Sequence, residues 1–350
     1  MRCVPAPSCR VRDSVTGRDG PGSAARSGAG LGIQQDRREA AWQAERGAAW
    51  AAMARGDGAE TQRHFAAALA LAEGFGEDDP RLATALADSL RLLRTWIDPE
   101  WSADAARHAA EAEARCRRLL AIQERTLGAG HPDLAWTLEH LARVCAALGR
   151  HDEAEGYLRR GLALRERALG PDHEDVSYSL GDIAAHCGQQ GRFEEVEELL
   201  RRKLRILERA RGTGHRSVLY TLQDLARVLM KQHRPAEAEA LLRRVEDQTR
   251  RRRRLGMSVR RDLLDACLAQ GKHQEAAQLY RSEIQQWRRI LPRMDEQWRA
   301  PSSRALARFI RAYAALLRTL GRPRTARRRE AQAAAILAEY DSADPDAASA

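Results

Sequence analysis

Three histidines, His131, His173 and His215, recur at intervals of 42 residues. Imidazoles at regular spacing first suggest metal ligation. Each lies in the same linker, however: Leu-Gly-Ala-Gly-His131-Pro-Asp, Leu-Gly-Pro-Asp-His173-Glu-Asp and Arg-Gly-Thr-Gly-His215-Arg-Ser. They are one position of a repeat and stand too far apart to share an ion. Their expected role is to shape the turn before a helix, with Asp133, Asp175 or Ser217 as its N-cap. The six cysteines (Cys3, Cys9, Cys116, Cys145, Cys187, Cys267) form no CxxC pair, so no zinc knuckle or disulfide framework is indicated. They read as reduced thiols, and Cys145 and Cys187 align with Leu229 as core residues. The expectation is no metal and no cofactor.

Catalytic patterns are missing as well. The chain holds no GxxxxGK[ST], HExxH or GxSxG, and the Gly28-Ala29-Gly30-Leu31-Gly32 run neither follows a strand nor opens a dinucleotide-binding unit. Carboxylate pairs such as Glu194 with Glu195 and Glu197 with Glu198 sit on a solvated helix face. A protein without catalysis of its own is expected, and attention passes to recognition chemistry.

Two clusters have it. Aligned on the linkers, Trp136, Tyr178 and Tyr220 occupy one position, His140, Asp182 and Asp224 the next turn, and Arg143, Ala185 and Arg227 the turn after. These fall at i, i+4 and i+7, one stripe of a helix. Glu139, Gly181 and Gln223 lie beside it, and Asp88 matches the His140 position one repeat earlier. Aromatic anchors flanked by arginine suit the capture of a peptide. The second cluster is basic: Arg243, Arg244, Arg250, Arg251, Arg252, Arg253, Arg254, Arg260 and Arg261, echoed by Arg322, Arg324 and Arg327 to Arg329. The net charge of +10 is concentrated there, because residues 235–340 carry 24 basic and 12 acidic residues while residues 36–234 carry 30 and 32. Such a patch suits phosphates or an acidic partner, and is the rival reading of function.

The elements that must position these residues follow from periodicity. Leu134, Leu138, Leu141, Ala142 and Cys145 correspond to Val176, Leu180, Ile183, Ala184 and Cys187, and to Val218, Leu222, Leu225, Ala226 and Leu229. This is one apolar helical face per repeat. Gly149 and Gly191 close the helix, with His233 in the third copy. A second stripe then follows: Ala154 and Leu158, Val196 and Leu200, Ala238 and Leu242. The unit is a helical hairpin.

The order Leu138, Leu141, Ala142, Cys145, Ala154, Leu158 resembles the tetratricopeptide repeat, and the 42-residue period with its Leu-Gly-x-x-His linker resembles the kinesin-light-chain type of that repeat. The resemblance is clear over residues 131–245 and concerns the repeat type, without the heptad segment that serves motor binding. It implies an all-α, right-handed α-solenoid of about seven hairpins over residues 36–340, with an insertion near 97–104 and degenerate basic hairpins over 246–340. It also implies binding of a peptide or protein in a concave groove lined by first helices. Members of this type commonly grip the peptide backbone with paired Asn. This chain contains no Asn, and an ionised Asp only accepts hydrogen bonds, so that clamp does not transfer unchanged.

Residues 1–35 and 341–350 show no periodicity and are expected to be disordered. With 31% charged and 43% apolar residues, no stretch reaches the length a membrane-spanning helix needs, and no apolar signal core follows Met1. A cytoplasmic location is expected.

Overall fold

In a computed structural model, residues 25–91, 105–250 and 257–341 are described. Among them the chain is entirely helical outside its turns. The candidate insertion at 97–104, Arg251 to Arg254 and the tail from residue 342 lie outside the described residues. The chain divides into two compact units, residues 1–94 and 95–350.

The first unit holds α1 (Ala25–Arg55), α2 (Gly58–Glu73) and α3 (Pro80–Leu90). α1 starts ahead of the expected boundary at residue 36. Asp57 caps α2 by accepting from the Glu60 N–H at 2.9 Å, and Asp79 caps α3 by accepting from Arg81 N–H at 2.8 Å. Each cap satisfies an N–H that the first helical turn leaves without a partner. Phe65 is buried and meets Trp50 edge to face, with ring centroids 5.9 Å apart. Asp88, buried on α3, accepts from Arg46 of α1 at 2.8 Å.

The second unit runs through α4 (Ala105–Leu127), α5 (Leu134–Ala147), α6 (His151–Leu169), α7 (Val176–Gln189), α8 (Phe193–Arg211), α9 (Arg216–Lys231), α10 (Pro235–Arg250), α11 (Met257–Ala269), α12 (His273–Ile290), α13 (Glu296–Thr319) and α14 (Pro323–Asp341). Helices pair as consecutive hairpins, α5 with α6 through α13 with α14, and successive first helices touch, α5 on α7 and α9 on α11. The stack is that of an α-solenoid. Both apolar stripes of each repeat are buried as their periodicity demands, with Leu134, Leu138, Val176, Leu180, Val218 and Leu222 fully enclosed. A hairpin alone leaves those faces wet, so each hairpin is stable only against its neighbours. The eroded pattern after Val245 still yields two hairpins, anchored by Leu263, Ile284, Ile310 and Leu317.

Two local features differ from expectation. At the linkers the capping atom belongs to the histidine: Nδ1 of His131, His173 and His215 accepts from the N–H of Asp133, Asp175 and Ser217 at 3.2, 3.2 and 3.3 Å. Asp133 and Asp175 make no side-chain cap, because both are already in helical backbone conformation. An acceptor must stand before the helix to reach its first donors. At the turn inside each hairpin, Gly149 and Gly191 take φ of 77° and 74°, and His233 is forced into the same left-handed region at 58°.

Candidate peptide-binding face

α5, α7 and α9 carry the stripe read from the sequence. Tyr178 and Tyr220, one repeat apart, are 55% and 50% exposed. The Tyr220 hydroxyl accepts from Arg216 Nε and Nη2 at 2.9 and 2.7 Å, which props its ring outward. Trp136 departs from its counterparts. Its ring stacks on His140 at a centroid distance of 3.9 Å, and His140 Nδ1 lies 2.9 Å from the Trp136 carbonyl, so the pair is half-buried on its own helix.

The charged members pair across hairpins. Arg143 on α5 approaches Asp182 on α7 at 3.8 Å. Arg227 on α9 lies 3.7 Å from Asp224 and donates at 3.0 Å to Asp262 on α11, which Gln223 also contacts. Asp262 occupies the same turn as Asp182 and Asp224, and eroded spacing hid it from the sequence reading. Burial and the adjacent Glu139 hold the Asp182 carboxyl above the usual aspartate range, against the pull of Arg143, Arg165 and Lys203. Partial loss of hydration likewise raises the half-exposed Asp224 carboxyl, against the pull of Lys203 and Arg227. Behind the face, Glu139 is buried in contact with Arg165 of α6, and the Ser179 hydroxyl of α7 donates to it at 2.8 Å.

The basic cluster has a different character from its sequence appearance. Glu155, Arg159, Arg192 and Glu195 close a ring between α6 and α8: Arg192 to Glu155 2.6 Å, Arg192 to Glu195 3.0 Å, Arg159 to Glu155 2.6 Å and Arg159 to Glu195 2.8 Å. The same ring recurs from Glu113, Arg117, Arg150 and Glu153 and from Glu197, Arg201, Arg234 and Glu237, and it ends with Glu239, Arg243, Lys272 and Glu275. A second ladder joins Arg160 to Glu124, Arg202 to Glu166 and Arg244 to Glu208. Arg260 is likewise held by Glu283 at 3.1 Å. Arg243, Arg244 and Arg260 of the candidate patch thus stitch second helices or hairpins together. The signal was available as the 42-residue interval separating Glu113, Glu155, Glu197 and Glu239. Arg261 is exposed beside Asp265, and the Arg250 side chain lies outside the described residues along with Arg251 to Arg254.

Among the described residues, metal chemistry has one geometric opening: Glu239, Cys267 and Glu275 place donor atoms within 4.8 Å of one another. Arg243 and Lys272 already occupy those carboxylates at 2.6 to 3.1 Å, and burial raises the Cys267 thiol, so the group is an ion-pair ring instead of a ligand set. Cys116, Cys145 and Cys187 are buried thiols too, and burial pushes Cys116 up to about 12, which makes it an inert core residue. No described helix is long and apolar enough to cross a membrane.

No curated protein matches the chain. Among solved structures it is similar to the nearly identical TPR-like repeats of a Podosopora anserina protein assigned as a kinesin light chain, at 26% identity over 57% of this chain and 93% of the other, with a TM-score of 0.49. It is similar to BtubC of P. vanneervenii at 16% identity over 80% and 91%, TM-score 0.46. It also resembles PilW, a widely conserved type IV pilus biogenesis factor, at 17% identity over 73% and 96%, TM-score 0.50, which is a likeness of fold. Tetratricopeptide-repeat models match residues 105–167, 141–209 and 218–245. With those matches lying on helices α4 to α10 and the linkers repeating between them, residues 105–245 of the chain carry tetratricopeptide repeats, similar to the TPR-like repeats of the Podosopora anserina protein.

Proposed function

We propose that this chain is a non-catalytic adaptor that holds a peptide or protein segment on the first-helix face of its repeats. Tetratricopeptide folds generally mediate protein–protein interaction, and this face is where consecutive hairpins present equivalent positions to one partner. The observation that carries the reading is the half-exposure of Tyr178 and Tyr220 at matching positions of adjacent hairpins. Large aromatic rings left in water at a periodic position suit anchors for a bound segment. Trp136, His140, Arg143, Asp182, Asp224 and Arg227 complete the site around them.

The test compares nuclease-treated lysate captured on the chain and on Tyr178→Ala/Tyr220→Ala. A defined protein retained by the former and lost from the latter, at unchanged melting temperature, supports the adaptor. Equal capture by both removes the face from consideration. Nucleic acid recovered only when nuclease is omitted transfers the function to the arginines near residues 250–254. No observation now favours that alternative, since Arg243, Arg244 and Arg260 are engaged by carboxylates.

A further inference from the structure

The ion-pair ring between second helices recurs from Glu113 to Glu275 and then changes. Each ring takes a carboxylate and a guanidinium from one second helix, then a cation and a carboxylate from the start of the next. Counted from the left-handed turns at Gly271 and Gly321, the following ring falls on Ala277, Arg281, Arg322 and Thr325. Both cations are kept. Both carboxylates are gone, with Ala277 standing where Glu155, Glu197 and Glu239 stand, and Thr325 where Glu195, Glu237 and Glu275 stand.

The backbone keeps the geometry of the earlier rings. Arg322 N–H donates to the Leu317 carbonyl at 2.8 Å, as Arg192 N–H does to Cys187 at 3.0 Å and Lys272 N–H to Cys267 at 2.9 Å. The hairpin of α13 and α14 is stacked on α12, with the Tyr280 ring 4.7 Å from Phe309 and 5.3 Å from Tyr313. Ala277 is buried, as Glu239 is, and Arg281 Nε donates to the Ala277 carbonyl at 3.2 Å. Arg281 and Arg322 are both exposed, and among the described residues neither meets a carboxylate within 4.0 Å. Neighbouring sequence supplies none either, because residues 297–329 hold ten arginines and no Asp or Glu. At the next repeat position the sign is reversed, with Arg327 in the place of Glu155.

Guanidiniums at these positions bind carboxylates elsewhere in the same molecule, and here the same pair faces solvent. We propose that Arg281 and Arg322 dock an acidic protein segment whose Asp or Glu side chains complete the ring, with the exposed Arg324, Arg327 and Arg328 extending the basic field beside it. The guanidinium fork suits a planar carboxylate held by two hydrogen bonds. Single-stranded nucleic acid fits less well, since among the described residues the exposed aromatic rings are Trp50, Tyr178 and Tyr220, which leaves bases nothing to stack on here. Second helices carry this surface, so it stands independently of the Tyr178 face and goes beyond the adaptor reading.

Fluorescein-labelled deca-glutamate is the probe, titrated against the full chain by anisotropy beside single-stranded DNA of equal charge. The peptide is expected to bind at low salt and to be released as salt rises. Arg281→Gln/Arg322→Gln is expected to weaken it about tenfold. Arg308→Gln/Arg311→Gln, an equal loss of charge on the first helix of the same hairpin, should change it less than about twofold. Thr325→Glu returns a carboxylate to the place of Glu195 and Glu237, so it is expected to raise the melting temperature and weaken the peptide, while Thr325→Gln does neither. Because Thr325→Glu adds an interaction, unfolding cannot mimic its effect. Undiminished binding to Arg281→Gln/Arg322→Gln and Thr325→Glu would overturn the proposal. Equal weakening by both arginine pairs would also overturn it, reducing the effect to net charge. Failure of deca-glutamate to bind, with DNA held through Arg281 and Arg322, would assign the surface to nucleic acid instead. Tyr178→Ala/Tyr220→Ala should bind deca-glutamate unchanged, and a loss there would move the acidic site to the first-helix face.

Discussion

Arg192, on the turn that opens α8, donates to Glu155 of α6 at 2.6 Å and to Glu195 of its own helix at 3.0 Å, tying two hairpins through one guanidinium. Arg192 and Arg159 hold the Glu155 carboxyl down to about 2 from an ordinary value of 4.5. A carboxylate depressed on folding adds stability that is complete above its unfolded value and is lost as pH falls through the folded one. Glu155→Gln is thus expected to cost about 1 kcal/mol at pH 7, discounted for solvent access, and the deficit should close between pH 4.5 and about 2. Urea titrations at pH 7 and near pH 2 check it.

Trp136 and Tyr178 share a repeat position and not an environment. Trp136→Ala removes a ring stacked on His140 and is expected to cost about 1–2 kcal/mol. Tyr178→Ala, at an exposed site, should stay within about 0.5 kcal/mol. Equal losses in thermal melts would refute the difference, which is why the tyrosines are the cleaner binding variants.

Glu139 and Arg165 form a buried charge pair. Arg165→Thr alone strands a buried carboxylate and is expected to cost about 3–5 kcal/mol. Glu139→Gln with Arg165→Thr reproduces Gln223 and Thr249, the residues two repeats on, and should recover most of that loss. A double-mutant cycle measures the coupling, and simple additivity would sink the account.

His233 is the described non-glycine residue at positive φ, at a turn where Gly149 and Gly191 serve the other repeats. His233→Gly is expected to stabilise the chain by about 1 kcal/mol by relieving the Cβ contact of the left-handed conformation. A lowered midpoint in urea would show that the imidazole makes a compensating contact.

The linker histidines give a fifth measure of local design. His215→Ala removes the acceptor that caps α9 and should cost about 1 kcal/mol, while His215→Asp, which also accepts from Ser217 N–H, should restore most of it. Identical melts for both would leave the cap without energetic weight.

By itself the sequence determined the repeat, the two helices of each hairpin and the buried stripes, since Leu138, Leu180 and Leu222 recur at a helical spacing that only one packed face satisfies. It also set the positions of Tyr178 and Tyr220. Which charges remain available to a partner was a matter for the tertiary structure. Arg243 and Arg244 read as a free basic patch until carboxylates 30 to 40 residues away closed on them, Glu275 on the first and Glu208 on the second. The Lys203 amine lies where Gly181, on the preceding helix, has no side chain, a meeting of two helices that neither one specifies alone. Periodicity is a local property that one helix expresses alone, whereas pairing and exposure depend on atoms that only the stacking of hairpins brings together.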